Sequence, residues 1–364
     1  MDDSLAGPQV VEKYQAAGKV AQQVLGELAA KCVPGADLYE LTRWGNKRID
    51  ELCAPQFASK KIEKGVAFPV CISPNEMCGN FAPLKEESQK LADGDLAKIE
   101  LGVHFDGFPV SLAHTVVVGK AAEGDDKLLA GGFRAVEAGV KSLAVGAKSS
   151  LVAKVLEEVA KLYGLTHIDG SAVREVKRYL LEGGRAFGSK FSPEARDDKI
   201  EFKANEVFAV EALVALSACE GKAKTSELRT TVYRRNIEQS GDLKTSMGRQ
   251  FLREVREKFS DLSFSLNSWD DELVARAGIN DCLSHNLVTP LPTLLEKSKA
   301  RVAHFKWTVG IMGKRLILLA AQTEPLGALA EPIKSADEEV QKALDASLAQ
   351  ITAKPPKVEK KKAE

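Results

Sequence analysis

The chain has 364 residues, 44% hydrophobic and 28% charged, enough for one large or two ordinary domains with a substantial core. Its 51 Lys and Arg balance 51 Asp and Glu, so any footprint for nucleic acid or membrane must be local. No apolar run reaches the ~18 residues of a membrane span, and six scattered cysteines without CxxC spacing predict reduced thiols in a soluble intracellular protein rather than a disulfide framework.

Residues 10–31 place Val11, Tyr14, Ala17, Ala21, Val24, Leu25 and Leu28 on one helical stripe, and Pro34-Gly35 closes that segment. A second helix is predicted over 38–52, and 64–83 reads as strand plus loop. Two alternating runs, 96–104 and 109–118, flank Asp106-Gly107, a dipeptide that favours a type I′ hairpin turn. Helical runs follow over 125–163. The segment 206–216, "EVFAVEALVAL", reads as a strand with Val207, Ala209, Glu211 and Leu213 on one face. Residues 247–259 carry Phe251, Val255 and Phe259 at spacing four, a helix whose other face is basic. Helical periodicity recurs at 271–283, and 301–310 reads as a strand. The last thirty residues turn polar and end in "KPPKVEKKK" (354–362), read as a helix running into a disordered basic tail. Hairpins mixed with helices, without strict alternation, predict an α+β class.

The hairpin holds an anomaly. With Asp106-Gly107 as the turn, His104 faces Pro109, Gly102 faces Ser111 and Glu100 faces Ala113, so Glu100 and Ser111 become diagonal neighbours on one face. Carboxylates at both positions would suit a metal ion, but one of them is a hydroxyl. His104 shares that face, and His304 shares a face with Lys306. His104 has no partner His or Asp spaced to complete a site, and it reads, like His114, as a structural or pocket-lining histidine. His304 is placed to line the substrate pocket. Ser111 and Ser171 lack the GxSxG context of a nucleophile.

"VAFPVCISPNE", "GDLAKIELGVHFDGF", "EVFAVE" and "AHFKWT" resemble, in order and spacing, the methionine aminopeptidase family with its pita-bread fold. The long interval between Glu211 and Lys306 resembles the insertion of the type 2 members. "EGKAKTSELRTTVYRR" and "DGFPVSLAHT" are similar to the proliferation-associated, ErbB-receptor-binding branch. The resemblance implies a boundary scheme of 1–235 for the first part of the pita-bread domain, 236–297 for a helical insertion, 298–335 for closing strands and 336–364 for a terminal helix and tail.

Active members of the family hold two divalent metals on two Asp, one His and two Glu. Carried over, these positions fall on Glu100, Ser111, on or near Ser171, Glu211 and Lys306, and a substrate-positioning His falls on Asn80. A hydroxyl and an ammonium in that set imply a site without metals or any other cofactor, and a non-peptidase.

Over 222–258 there are ten basic residues against five acidic ones. Lys222, Lys224, Arg234, Arg235, Lys244, Arg249, Arg253, Arg256 and Lys258 are candidate RNA-binding positions, with the arginines of 247–259 forming one ridge suited to a phosphate backbone. The resemblance implies a monomer that binds the large ribosomal subunit and its rRNA, with the nascent chain as a further partner. It implies roles in ribosome biogenesis, translation or growth regulation, in cytoplasm and nucleus or nucleolus, without membrane contact. Two other readings stay open from the residues alone. One is a metal-dependent aminopeptidase with a site rebuilt on Glu100, Glu211 and His104 or His304. The other is a scaffold whose insertion docks acidic protein partners.

Overall fold

The structure, a computed structural model, describes residues 3–190, 200–239, 241, 243–325 and 329–352. In chain order the elements are α1 (Pro8–Lys31), α2 (Leu38–Cys53), β1 (Lys64–Pro74), β2 (Met77–Gly79), β3 (Leu96–Phe105), β4 (Phe108–Val117), α3 (Asp125–Lys141), α4 (Ser149–Leu162), β5 (Leu165–His167), β6 (Ala172–Val176), β7 (Ala186–Gly188) and β8 (Glu206–Leu216). There follow β9 (Ala223–Thr225), β10 (Val232–Arg235), α5 (Ser246–Phe259), β11 (Ser263–Ser265), α6 (Glu272–Ser284), β12 (Val288–Leu291), β13 (Leu294–Glu296), β14 (Val302–Met312), β15 (Arg315–Ala320), α7 (Glu338–Asp345) and α8 (Leu348–Ile351). The basic tail read from the sequence lies outside the described residues. No described helix is long and apolar enough to cross a membrane, and all six cysteines are free and buried.

One large antiparallel sheet organises the fold, in the order β1-β3-β4-β14-β8-β6-β7, with β15 added to β14 and β5 to β8. Strand alternation divides it into two faces. On β14 the residues Phe305 and Trp307 turn towards α3, where Phe133 meets both rings edge-on. The intervening His304 and Lys306 line the opposite face. A one-residue slip would put Trp307 in the cleft and Lys306 in the core, so the apolar pattern fixes the register.

Turn chemistry fixes the β3–β4 hairpin. Asp106 and Gly107 both have positive φ, 54° and 75°, the backbone that a type I′ turn needs. The pairing is Glu100 with Ala113, Gly102 with Ser111 and His104 with Pro109, as the sequence predicts. Two threonines then clasp β4 to β14. Thr308 Oγ1 donates to the Ser111 carbonyl, and Thr115 Oγ1 donates to that of His304. In between, Lys306 pairs with Ala113.

The stretch between β8 and β14 holds α5, α6 and short strands. The helix α5 starts where Thr245 accepts from Gly248 N, and α6 where Asp271 accepts from Leu273 N and Val274 N. Phe251 and Phe259 of α5 pack on Phe264 and Trp269. The strand β10 pairs with both β11 and β12.

Candidate functional site

The sheet register brings four residues into one row. Glu100 on β3 pairs with Ala113 on β4, Ala113 with Lys306 on β14, and Lys306 with Glu211 on β8. Directly paired residues share a face, so the side chains of Glu100, Lys306 and Glu211 converge above the small methyl of Ala113. Lys306 Nζ lies 2.5 Å from Glu100 Oε1 and 3.0 Å from Glu211 Oε1.

The second carboxylate is fully engaged. His304 Nε2 donates to Glu211 Oε1 at 2.6 Å; a carboxylate only accepts, so the proton sits on Nε2. Arg174 Nη1 donates to Glu211 Oε2 at 2.8 Å. Burial alone would push the Glu211 carboxyl up, but Lys306, His304 and Arg174 outweigh it and hold it well below the usual carboxylate range. Burial likewise opposes the Lys306 ammonium, and Glu100 and Glu211 together hold it above the ordinary lysine value. The charges continue outwards: Arg174 Nε lies 3.3 Å from Glu182, which also takes Arg234 at 2.9 Å.

These groups line a cavity of about 240 Å³, which Asn80 and Ser111 also line. Asn80 Nδ2 donates to the Pro292 carbonyl at 3.1 Å, which commits its amide to the backbone. Ser171, read from the sequence as the histidine position, does not join the cluster. Its hydroxyl is buried, accepting from Leu213 N at 3.1 Å and lying 3.4 Å from His167 Nδ1. Arg174, three residues on, stands in the cluster instead. Sequence reading missed it, although the alternation of 172–176 carries a signal. The strand β6 pairs Arg174 with Ala209, which sets its guanidinium diagonal to Glu211.

His104 belongs to the turn. Its Nδ1 accepts from Gly107 N at 3.3 Å, and burial pushes its pKa down to about 4. Among the described residues, Glu100, Glu211 and His304 form a group of metal-capable side chains, with one donor atom each inside a 4.8 Å span. This set does not fit the family's metal pair. An ammonium stands between the carboxylates, both Glu211 oxygens already accept from cations or His304, and Ser111 offers only a neutral hydroxyl.

The basic positions are of two kinds. Lys222 is paired with Glu220, Arg234 with Glu182 and Arg235 with Asp261. Arg249 donates to the Leu243 and Lys244 carbonyls, bracing the entry to α5. It is therefore a structural member of the ridge, where the sequence suggests three equivalent arginines. Lys258 lies 5.4 Å from the Trp269 ring. Lys224, Lys244, Arg253 and Arg256 are exposed and make no ion pair among the described residues.

Residues 12–239 match the model of metallopeptidase family M24. The chain is 32% identical over 359 residues to "Proliferation-associated protein A" of Dictyostelium discoideum, covering 97% of this chain and 92% of the relative. It is 31% identical over 336 residues to the "Curved DNA-binding protein" of Schizosaccharomyces pombe, covering 89% and 86%. The solved "Structure of a thermophilic Arx1" superposes with a TM-score of 0.83 at 25% identity, covering 93% of this chain and 98% of that one.

Proposed function

The chain belongs to metallopeptidase family M24, and on that premise we propose that it is a non-peptidase member that binds the large ribosomal subunit or its rRNA through the exposed face of α5. The Lys306 ammonium supports the first half. A divalent ion placed ~4 Å from it would meet a repulsion of about 8 kcal/mol at an effective dielectric of ~20. Without a metal pair the cluster has no means of activating a water for peptide hydrolysis.

The observation that carries the second half is the pair Arg253 and Arg256, exposed on α5 and making no ion pair among the described residues. Exposed guanidinium groups on a rigid helix suit phosphate contacts read by position and charge. A relative named for binding DNA lends support. Ribosome biogenesis or translation is the setting of this reading, in cytoplasm and nucleolus.

Co-sedimentation with purified large subunits across a salt series tests it. Binding that falls steeply with salt, and is lost in the Arg253→Glu/Arg256→Glu double variant, is the expected result. Absence of binding at low salt contradicts the reading. If nuclease treatment leaves the captured partners in place, a scaffold for acidic proteins replaces it. The competing reading as an aminopeptidase rests on Glu100, Glu211 and His304, and it requires Lys306 to vacate the position it holds between them.

A further inference from the structure

The small sheet β2-β13-β9 keeps its lysines on one face. Its register sets Ala223 opposite Glu296 and Lys224 opposite Leu295. One step further along, Lys297 stands opposite Lys222, its N donating to the Lys222 carbonyl at 2.8 Å. Opposed residues, and residues two apart on a strand, share a face. Lys222, Lys224 and Lys297 therefore point the same way, and all three are exposed. Ala223 and Glu296 point the other way. Ala223 packs on the cluster of Cys78, Ile168 and Cys219, and Glu296 is buried at 1% exposure.

The buried Glu296 sets a fourth lysine beside them. Its Oε2 accepts from Ser298 Oγ at 2.7 Å and from Ala300 N at 2.8 Å, and its carbonyl accepts from Lys299 N at 3.1 Å. The turn so fixed holds Lys299 at φ 61°, a left-handed backbone uncommon for lysine, with its side chain exposed. Like charges directly opposite one another in a ladder repel, as Lys222 and Lys297 do. Glu220 answers Lys222 at 2.8 Å, and Lys222 first, with Lys297 after it, holds the Glu220 carboxyl below its usual range. Asp169 also acts on Lys222. Lys224, Lys297 and Lys299 make no ion pair among the described residues. Four cations thus meet two carboxylates.

We propose that this lysine face is a second contact for the phosphate backbone of RNA, separate from α5 and resting on the reading of the chain as an RNA binder. Lys222 and Lys224 lie two residues apart on an extended strand, ~6.7 Å, close to the separation of successive phosphates along one nucleic-acid strand. Lysines meet phosphates as point charges, which suits contact by position rather than by base. The ladder and the Glu296 turn hold the four side chains on rigid backbone, so little order has to be created on binding. An acidic protein is the poorer match. Lysine is depleted from protein interfaces, and this face has none of the aromatic anchors around which they form.

Fluorescence anisotropy of the full chain with a labelled RNA duplex, across a potassium chloride series, tests the assignment. Wild type is compared with Lys297→Gln/Lys299→Gln and with Lys297→Arg/Lys299→Arg. Both side chains are exposed, so the variants retain the fold, and a thermal melt verifies this. Each lost phosphate contact takes ~0.9 from the log–log salt slope. The Gln pair should therefore flatten that slope by ~1.8, while the Arg pair keeps the wild-type slope. Wild type that fails to bind RNA at low salt overturns the RNA-binding reading and this face together. Wild type that binds, with its slope unchanged in the Gln pair, overturns this face alone. A Gln pair that keeps the RNA slope but loses polyglutamate binding assigns the face to an acidic protein and overturns the proposal as well.

Discussion

Lys306 reaches over Ala113 to Glu100, two strands away, and its Nζ lies 2.5 Å from Glu100 Oε1 and 3.0 Å from Glu211 Oε1. One ammonium thus answers two carboxylates in a place where the resemblance to active relatives implies divalent ions. The side chains are largely withdrawn from water, at 14%, 10% and 7% exposure for Lys306, Glu100 and Glu211.

Removing that ammonium leaves Glu211 with Arg174 and His304, and strips Glu100 of its ion pair. Lys306→Ala should therefore lower the unfolding free energy by about 3–5 kcal/mol, the usual cost of breaking a buried pair from one side. Urea denaturation at pH 7 measures it. A midpoint unchanged by the substitution would mean that the carboxylates are solvated rather than held by Lys306.

Acid should destabilise the chain through its buried histidines. Burial depresses the pKa of His104 to about 4, of His114 to about 3 and of His167 to about 4. Unfolded, each titrates near ~6.5. Between those values the unfolded chain binds protons that the folded chain refuses, so stability is complete above pH ~6.5 and falls as the pH drops towards 4. The slope should reach about 1.4 kcal/mol per pH unit for each such histidine. Denaturation at successive pH values reads it, and a flat profile from pH 7 to 5 would show the histidines to be accessible to protons in the native state.

Lys98 makes a separate prediction at alkaline pH. It is buried at 1% exposure and donates to the Asn75 carbonyl at 2.7 Å, and burial lowers its pKa to about 7. The unfolded lysine holds its proton up to ~10.4. Stability should thus fall as the pH drops from about 10 to 7. Lys98→Met should flatten that limb without loss of stability at pH 7, because the Asn75 carbonyl keeps its bond from Val302 N. A variant that unfolds more readily at pH 7 would show a charged, paired lysine instead.

The arginines of α5 should separate by role. Arg249→Glu should lower stability by about 1 kcal/mol or more through loss of its carbonyl bonds at the helix entry. Arg253→Glu and Arg256→Glu should leave the melt within about 0.5 kcal/mol, as exposed substitutions do, while weakening subunit binding. Melts and sedimentation on the three single variants distinguish these outcomes. Equal effects of all three on both readouts would contradict the division.

The hairpin was legible because Asp106-Gly107 sets its own turn and alternation does the rest, so the diagonal of Glu100 and Ser111 follows from local chemistry. Glu211 and Lys306 were legible as strand residues, and the resemblance implies that the Lys306 ammonium stands in for the missing cations and pairs with Glu211 and Glu100, as the structure shows. Local pattern alone does not bring them together, because that depends on which strands neighbour β14. Arg174 escaped because only the pairing of β6 with β8 aims it at Glu211. The division of the basic residues escaped for a similar reason. Arg234 finds Glu182 and Arg235 finds Asp261 across stretches that a local charge count cannot join.

Metal content and peptide turnover of the purified full-length protein bear most directly on the Lys306 cluster. The expected result is far less than one divalent ion per chain after incubation with cobalt or manganese and removal of excess metal, with no release of methionine from Met-Ala-Ser. Two bound ions per chain with turnover abolished by EDTA would contradict the account, since Lys306 would then have to yield its place between Glu100 and Glu211.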